Sequence, residues 1–273
     1  MKKLFVFAAT ALLSISMFAE NITVAKVVEI GEGLAVGAET TESYSVEGWV
    51  VKLYGTYNAK YGSQSFWMAD DKDAEGYFPV EAYQCTASKG VAPGAKVIVT
   101  GKIKRYKENS YNILGSTEIV ADAEPVEMTF AEALTAVKAI NDPQEKKSNY
   151  GKYVKFQGFV TSDYAAEDGK QTAWLAADAS ADRGDIQAFK LAVTEGALKG
   201  AKVEVVGVLA KYMPEGKTEA TLEIVEGTMT VLEQPTAIEN TTVNVKATKV
   251  MENGQLYIIR NGIKYNAAGA VVE

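Results

Sequence analysis

Histidine is absent from the 273-residue sequence, and cysteine occurs only once, at Cys85. Histidine is the commonest general base and the commonest transition-metal ligand in proteins. Its absence, together with the single cysteine, excludes serine–histidine catalysis, cysteine–histidine catalysis and the usual zinc sites. A lone cysteine forms no internal disulfide, so the core alone must stabilise the fold. The sequence therefore predicts no catalytic residues, no metal site and no cofactor, and we expect the protein not to be an enzyme.

Long apolar runs are also scarce. The run Leu4–Leu13 follows Lys2 and Lys3, and the small residue Ala19 comes shortly after it. This run is too short to cross a bilayer, which takes ~20 apolar residues. A positive start, an apolar centre and a small residue are typical of a secretory signal peptide. We predict a signal peptide at residues 1–19 and a mature chain from Glu20 without a transmembrane span. The expected location is extracellular or at the outer-membrane surface, with the periplasm as an alternative.

Positive charge is in the minority, with 28 Lys and Arg against 35 Asp and Glu. The net charge is −7, and loss of Lys2 and Lys3 with the signal peptide lowers it to −9. An acidic protein repels a polyanion at long range, which counts against strong non-specific binding to nucleic acid. A local cationic patch can override this repulsion. One such cluster, Lys102–Lys107, is present in the sequence of the predicted mature chain.

Three short motifs occur twice, in the same order and at nearly constant spacing. Self-similarity with a period near 106 residues indicates two copies of one domain. The three pairs are Glu47–Val50 with Gln157–Val160, Phe66–Ala69 with Ala173–Ala176, and Gly94–Lys102 with Gly200–Val208.

Each copy contains five segments that are rich in Val, Ile, Tyr, Phe and Trp, and many of them alternate apolar with polar residues. This pattern predicts short strands, separated by turns that contain Gly, Asp or Asn. A glycine inside the first and fourth strands of each copy predicts a bulge or sharp coil, as barrel closure requires. The strands are expected at 44–54, 64–70, 77–83, 96–106 and 110–120, then at 153–164, 172–178, 186–193, 202–212 and 219–232, with glycines at Gly48, Gly101, Gly158 and Gly207.

A helical segment precedes the strands of the second copy. Thr129 and Glu132 have the spacing of a capping box, and Asn141-Asp142-Pro143 is expected to end the helix. In the first copy, Thr23–Val28 corresponds to this segment but is less clearly helical because of its valines.

The order of these motifs resembles the OB-fold domains of exported Bacteroidetes proteins. The resemblance covers about residues 23–233, and it rests on a Gly-Trp-Val or Gly-Phe-Val strand, a Trp-x-Ala strand and a Gly-x-Lys-Val strand. It implies an all-β fold of two tandem five-stranded OB-fold-like barrels with short flanking helices. The nucleic-acid-binding character of such domains is an analogy of fold and not of activity. We predict barrel domains at 20–124 and 125–233.

Residues 234–273 form a separate region. The dipeptides Asn253-Gly254 and Asn261-Gly262 predict tight hairpin turns in a C-terminal β-hairpin segment. After the linker that begins at Gln234, this segment resembles the sorting tail of the type IX secretion system. A purely structural hairpin is the alternative.

Two tryptophans are candidates for ligand stacking. An OB barrel binds its ligands on the second and third strands and the loops beside them. Alternation places Phe66 inside and Trp67 outside in the first copy, and Trp174 outside in the second. The alternative is that both rings pack against a flanking helix or the neighbouring barrel.

The first connecting loop of the first copy, residues 54–63, adds Tyr54, Tyr57 and Tyr61 to the candidates. The equivalent loop of the second copy has one tyrosine and several acids, so the first barrel is the better binding candidate. Polar contacts are expected from the cationic cluster, although such a cluster also occurs as a solvated strand edge that discourages aggregation. Its candidate residues are Lys102, Lys104 and Arg105.

These features predict an exported, non-enzymatic binding protein. Its partner is expected to be a polymer, either a single-stranded nucleic acid or an oligosaccharide (glycan), or else a surface protein. The alternative is a structural or protein-interaction component of the bacterial cell surface without a soluble ligand.

Overall fold

The computed structural model describes residues 21–235, 248–252, 255–260, 263–266 and 270–272. The predicted signal peptide, 1–19, lies outside the described residues. The chain divides into two compact units between Gln234 and Pro235.

Strands dominate both units. In the larger unit the elements are α1 (Val24–Glu32), β1 (Tyr44–Leu53), β2 (Ser63–Ala69), β3 (Val80–Thr86), β4 (Lys96–Lys107), β5 (Ser110–Ala121), β6 (Val126–Glu127), α2 (Phe130–Lys138), β7 (Ser148–Asp163), β8 (Lys170–Ala176), β9 (Ile186–Ala192), β10 (Lys202–Tyr212) and β11 (Thr221–Glu233). In the smaller unit they are β12 (Thr248–Glu252), β13 (Gln255–Arg260) and β14 (Ile263–Asn266).

The larger unit contains two closed barrels of five strands each. The first has the order β1-β2-β3-β5-β4 and closes through pairing of β1 with β4. The second has the order β7-β8-β9-β11-β10, closes through pairing of β10 with β7, and carries the short β6 beside β7. In both barrels the third and fifth strands are parallel, and the other barrel pairs are antiparallel. These are Greek-key barrels of the OB-fold type, and the predicted all-β, two-barrel fold class is confirmed.

The strand bounds differ from the predicted ones mainly at two places. β3 begins at Val80, three residues later than expected. β7 begins at Ser148, five residues earlier than expected, because its first residues pair with the end of β10, where Ser148 faces Tyr212.

Alternating burial explains the cores of the barrels. Phe66 and Met68 in β2 and Leu175 in β8 are fully buried, whereas Trp67 and Trp174 are partly exposed. The predicted inward and outward directions of these strands are therefore confirmed.

A short helix packs on each barrel. Thr23 caps α1, and the carboxylate of Asp70 accepts hydrogen bonds from the backbone N–H groups of Val24 (2.6 Å) and Ala25 (2.9 Å). In α2 the predicted capping box between Thr129 and Glu132 is present. Negative carboxylates at helix N-termini stabilise the unpaired N–H groups there.

The four recurring glycines have two different roles. At Gly101 and Gly207 a side chain would collide with the backbone of the facing strand, so these positions permit the sharp coiling that closes each barrel. Gly48 and Gly158 instead make room for the helix on the first strand, because a Cβ there would lie 2.7 Å from a Val24 methyl group or 3.1 Å from the Phe130 ring.

The two barrels share buried apolar contacts. Val208, Ala210 and Val225 of the second barrel belong to the same core cluster as the interior of the first barrel. Tyr150 and Tyr153, which are partly buried, pack against this cluster. Within the larger unit, the second barrel therefore covers apolar surface of the first.

The smaller unit is a three-stranded antiparallel sheet in the order β12-β13-β14. Glu252 pairs with Gln255 and Arg260 pairs with Ile263, so each connection has two residues. The predicted turns, Asn253-Gly254 and Asn261-Gly262, lie outside the described residues. Within the described ranges, no helix has the length and apolarity that a membrane span requires.

Candidate ligand-binding faces of the barrels

On the outer face of the first barrel, residues that pair across neighbouring strands form a continuous row. Strand pairing places Trp67 of β2 between Lys52 of β1 and Glu81 of β3, and then Asn112 of β5 and Lys104 of β4. The row therefore crosses all five strands and includes the predicted residues Trp67 and Lys104.

Tyr54 extends the aromatic part of this face. Its exposed ring meets the ring of Trp67 edge to face, with the centroids 6.5 Å apart. This edge-to-face geometry is favourable for aromatic pairs. Two of the predicted stacking residues are thus brought together.

The other two loop tyrosines have different environments. Tyr57 is partly buried, since its N–H donates to Glu226 Oε1 of the second barrel (3.1 Å) and its hydroxyl donates to the Ala87 carbonyl (3.0 Å). Tyr61 is exposed, and Lys60 Nζ lies 5.3 Å from the centroid of its ring. Tyr57 therefore fixes the loop against the second barrel, whereas Tyr61 remains open to solvent.

Two residues of the cationic cluster are held by internal contacts. Lys102 forms an ion pair with Glu39 (3.4 Å). The Arg105 guanidinium donates to the Leu34 carbonyl at 2.8 Å, just beyond the C-terminal end of α1. Lys104 is partly exposed and faces Asn112 in register.

Each barrel also contains a strained residue directly after an exposed aromatic one. Tyr83 in β3 is 38% exposed and precedes Gln84 at φ +49, and Phe189 in β9 is 39% exposed and precedes Lys190 at φ +51. A positive φ is costly for a residue with a Cβ and marks sites where the surrounding structure imposes it. Alternation already directs Tyr83 and Phe189 outward; at the bulge the next residue also faces solvent, and the chain returns Cys85 and Leu191 to the core.

In both barrels the backbone N–H of the strained residue donates to a hydroxyl group on the preceding strand. The N–H of Gln84 donates to Ser65 Oγ (2.8 Å), and the N–H of Lys190 donates to Thr172 Oγ1 (3.2 Å). The register of β2 with β3 and of β8 with β9 shifts at this point. The feature is therefore a bulge that both copies share.

On the second barrel this region forms a cavity of about 650 Å³. Its walls include Tyr164, Gln187, Phe189 and Lys190. Register with Trp67 and Trp174 places Tyr164 at the position of Tyr54, and Phe189 at that of Tyr83. Both barrels thus carry an exposed aromatic pair at equivalent positions.

Trp174 is partly enclosed by its own barrel. The backbone of Gly184 lies against it, since a Cβ at that glycine would come 2.7 Å from the Trp174 Cβ. Gly184 belongs to the connection between β8 and β9, and Trp174 is partly exposed beside it.

Two carboxylates lie almost fully buried near these faces. Glu81 is 7% exposed and Glu223 is 6% exposed. Burial removes water from each carboxylate and raises the pKa of both groups to about 7. Perturbed acids of this kind are enriched at functional sites.

The described residues show no cluster of three or more His, Cys, Asp or Glu side chains that could hold a metal ion. Burial raises the pKa of the Cys85 thiol to about 11, which keeps it in the unreactive protonated form.

No protein-family model and no curated protein matches the sequence. Among solved structures, the chain is similar to one described as "Structure of murine DNA binding protein bound with ds DNA". The sequence identity is 11%, the TM-score is 0.28, and the match covers 69% of this chain and 95% of that chain. The assignment of the OB-fold type therefore rests on the strand pairing and not on this similarity.

Sequence reasoning missed Tyr83, Tyr164 and Phe189 as site residues. Residues 83 and 189 are offset by 106 positions, as the repeat motifs are, so comparison of the two copies would have paired them. The bulge that follows Tyr83 and Phe189 leaves no local pattern, because neither Gln84 nor Lys190 is a residue that favours positive φ.

Proposed function

We propose that the protein is a non-enzymatic binding protein that binds a glycan chain on the outer faces of its two barrels. The observation that carries this proposal is the aromatic pair at equivalent positions, Tyr54 with Tyr83 and Tyr164 with Phe189. The strained residue after the second ring costs ~1–3 kcal/mol in each barrel. The recurrence of exposed aromatic side chains at these positions in both copies favours a role in contacting a ligand.

Charge favours a glycan over a single-stranded nucleic acid. Sugar rings and bases both stack on aromatic side chains, but a nucleic acid adds a phosphate on every residue. The net charge of the protein is −7, and Lys102 and Arg105 of the cationic cluster already have internal partners. Charged residues of the second-barrel cavity balance, with Glu167 and Asp168 against Lys170 and Lys190. An uncharged polymer avoids the repulsion.

Export is part of this proposal. The positive start, the apolar run and Ala19 support removal of a signal peptide, and the three-stranded C-terminal unit supports sorting to the cell surface. A glycan ligand is consistent with such a location.

Titration with defined polymers tests the binding. We expect at least one neutral hexasaccharide of glucose, mannose, xylose or N-acetylglucosamine to bind, as measured by calorimetry, with little dependence on salt. Tyr54→Ala and Tyr164→Ala should each weaken binding at their own barrel by about 5- to 150-fold, the loss of ~1–3 kcal/mol of stacking.

Leu198→Ala removes an exposed apolar side chain from the connection between β9 and β10 and serves as the matched control. If a twelve-residue oligothymidylate binds in a salt-sensitive manner and the sugars do not, the glycan assignment is wrong. If no probe binds, the binding function itself is wrong.

A further inference from the structure

The row on the outer face of the first barrel has two acceptors at its centre. Glu81 lies between Trp67 and Asn112 in register, one strand away from each. All three belong to strands of the face that carries the Tyr54–Trp67 pair. A ring stacked on these aromatics would therefore lie next to a carboxylate and an amide.

Both polar side chains are buried, and one acceptor atom of each lacks a partner. Glu81 is 7% exposed and Asn112 is 5% exposed. Within the described part of the chain, Glu81 Oε1 and Asn112 Oδ1 accept no hydrogen bond. An unsatisfied buried acceptor costs about 1–3 kcal/mol, and native proteins retain few of them without a reason. Both atoms are acceptors, so they are complementary to a partner that brings hydrogen-bond donors.

The second barrel repeats the pair with the two chemical groups exchanged. Trp174 is followed in register by Gln187 of β9 and then by Glu223 of β11. The amide thus stands where the first barrel has its carboxylate, and the carboxylate stands where the first barrel has its amide. Glu223 is 6% exposed, and Gln187 lines the second-barrel cavity. Both copies keep one carboxylate and one amide at these two positions.

We propose that each carboxylate–amide pair, Glu81 with Asn112 and Gln187 with Glu223, accepts hydrogen bonds from neighbouring hydroxyl groups of a sugar ring that stacks on the aromatics beside it. A sugar has one apolar face and a rim of hydroxyl donors, which matches an aromatic surface flanked by acceptors. A phosphate brings only acceptors and negative charge, and the carboxylate repels it. The pair then determines that the ligand is a hydroxyl-bearing, uncharged glycan.

This inference rests on the proposed function, and its test separates the two. Binding of the hexasaccharides is measured on the full chain carrying Tyr164→Ala, so that binding at the second barrel is weakened and the first barrel dominates the signal. In that background Glu81→Gln should weaken binding about tenfold, because a charged acceptor is replaced by a neutral one. Glu118→Gln, which removes an exposed carboxylate from the same strand as Asn112, should leave the affinity unchanged.

A rescue variant uses the exchange between the barrels. Glu81→Gln with Asn112→Glu gives the first barrel the amide–carboxylate order of the second, and it should recover most of the lost affinity. Thermal melting verifies that each variant folds. Glu223→Gln in a Tyr54→Ala background measures the second barrel independently, in case the first-barrel variants do not fold.

The outcomes are distinct. If Tyr54→Ala weakens glycan binding in the Tyr164→Ala background while Glu81→Gln does not, the proposed function holds and this inference is overturned, since the pair then bonds only internally. If Glu118→Gln weakens binding as much as Glu81→Gln, the effect is one of overall charge and the inference is also overturned. Absence of any glycan binding overturns both.

Discussion

At the scale of single residues, each barrel carries on its outer face a carboxylate that is almost fully buried. Strand alternation directs Glu81 away from the barrel interior, yet it is almost fully buried and its pKa is raised to about 7 from the ordinary 4.5. The same holds for Glu223 in the second barrel. These residues destabilise the fold at neutral pH, which is consistent with selection for another property.

The raised pKa of Glu81 predicts a specific dependence of stability on pH. The folded state holds this proton more tightly than the unfolded state, so the stabilising contribution is complete below about pH 4.5 and is lost as the pH rises through 7. Glu81→Gln carries no titrating group and should be more stable than the natural protein at pH 8, by up to about 3 kcal/mol at 1.4 kcal/mol per pKa unit. Urea denaturation at pH 4.5, 6 and 8 measures the difference.

Glu118→Gln is the matched control, because its carboxylate is exposed on β5. Equal pH profiles for Glu81→Gln and the natural protein would show that Glu81 titrates normally, contrary to this expectation.

At the scale of strands, close backbone contact decides where glycine is required. Gly101 of β4 and Gly115 of β5 are register partners, and a side chain on either would collide with the backbone of the other strand. Gly207 and Gly227 occupy a similar crossing in the second barrel. The strong coil at these crossings lets five short strands close into a barrel.

Gly101→Ala should therefore destabilise the protein by about 2–4 kcal/mol, since the backbone of β5 must move to accommodate the methyl group. Gly55→Ala should change the stability by less than about 1 kcal/mol, because nothing lies within 4 Å of a Cβ there. Guanidinium denaturation of both variants provides the comparison. Equal stability of the two variants would show that the crossing tolerates a side chain.

At the scale of the whole molecule, the two barrels are joined by more than a linker. Apolar residues of the second barrel, among them Val208 and Val225, extend the core cluster of the first, and Glu226 accepts the Tyr57 N–H of the first-barrel loop. The loop with all three predicted stacking tyrosines is thus positioned by the other copy of the domain. The second copy of the domain therefore supports a loop of the first.

The positions of the two chain termini after export also belong to the scale of the whole molecule. We expect the protein recovered from the medium or the cell surface to begin at Glu20, because Ala19 supplies the small residue before cleavage. Intact-mass spectrometry of the native protein measures both termini at once. A mass that retains Lys2 and Lys3 would contradict export through a cleaved signal peptide.

Much of this architecture follows from the sequence alone. The repeat of three motifs predicted two barrels, and alternation in β2 predicted that Phe66 is buried while Trp67 faces outward. The spacing of Thr129 and Glu132 predicted the capping box of α2. These features depend on neighbours a few residues apart, so the periodicity of the chain is enough to reveal them.

Only the tertiary structure decided which outward side chains are free. The backbone N–H of Tyr57 donates to the carboxylate of Glu226, which is 169 positions away in the sequence. The Arg105 guanidinium donates to a backbone carbonyl just after α1. Glu81 is almost fully buried, and its register neighbours lie on two other strands, at Trp67 of β2 and Asn112 of β5. Local pattern determines to which side of a strand a residue points, but strands and loops brought together from distant parts of the chain determine what covers that side.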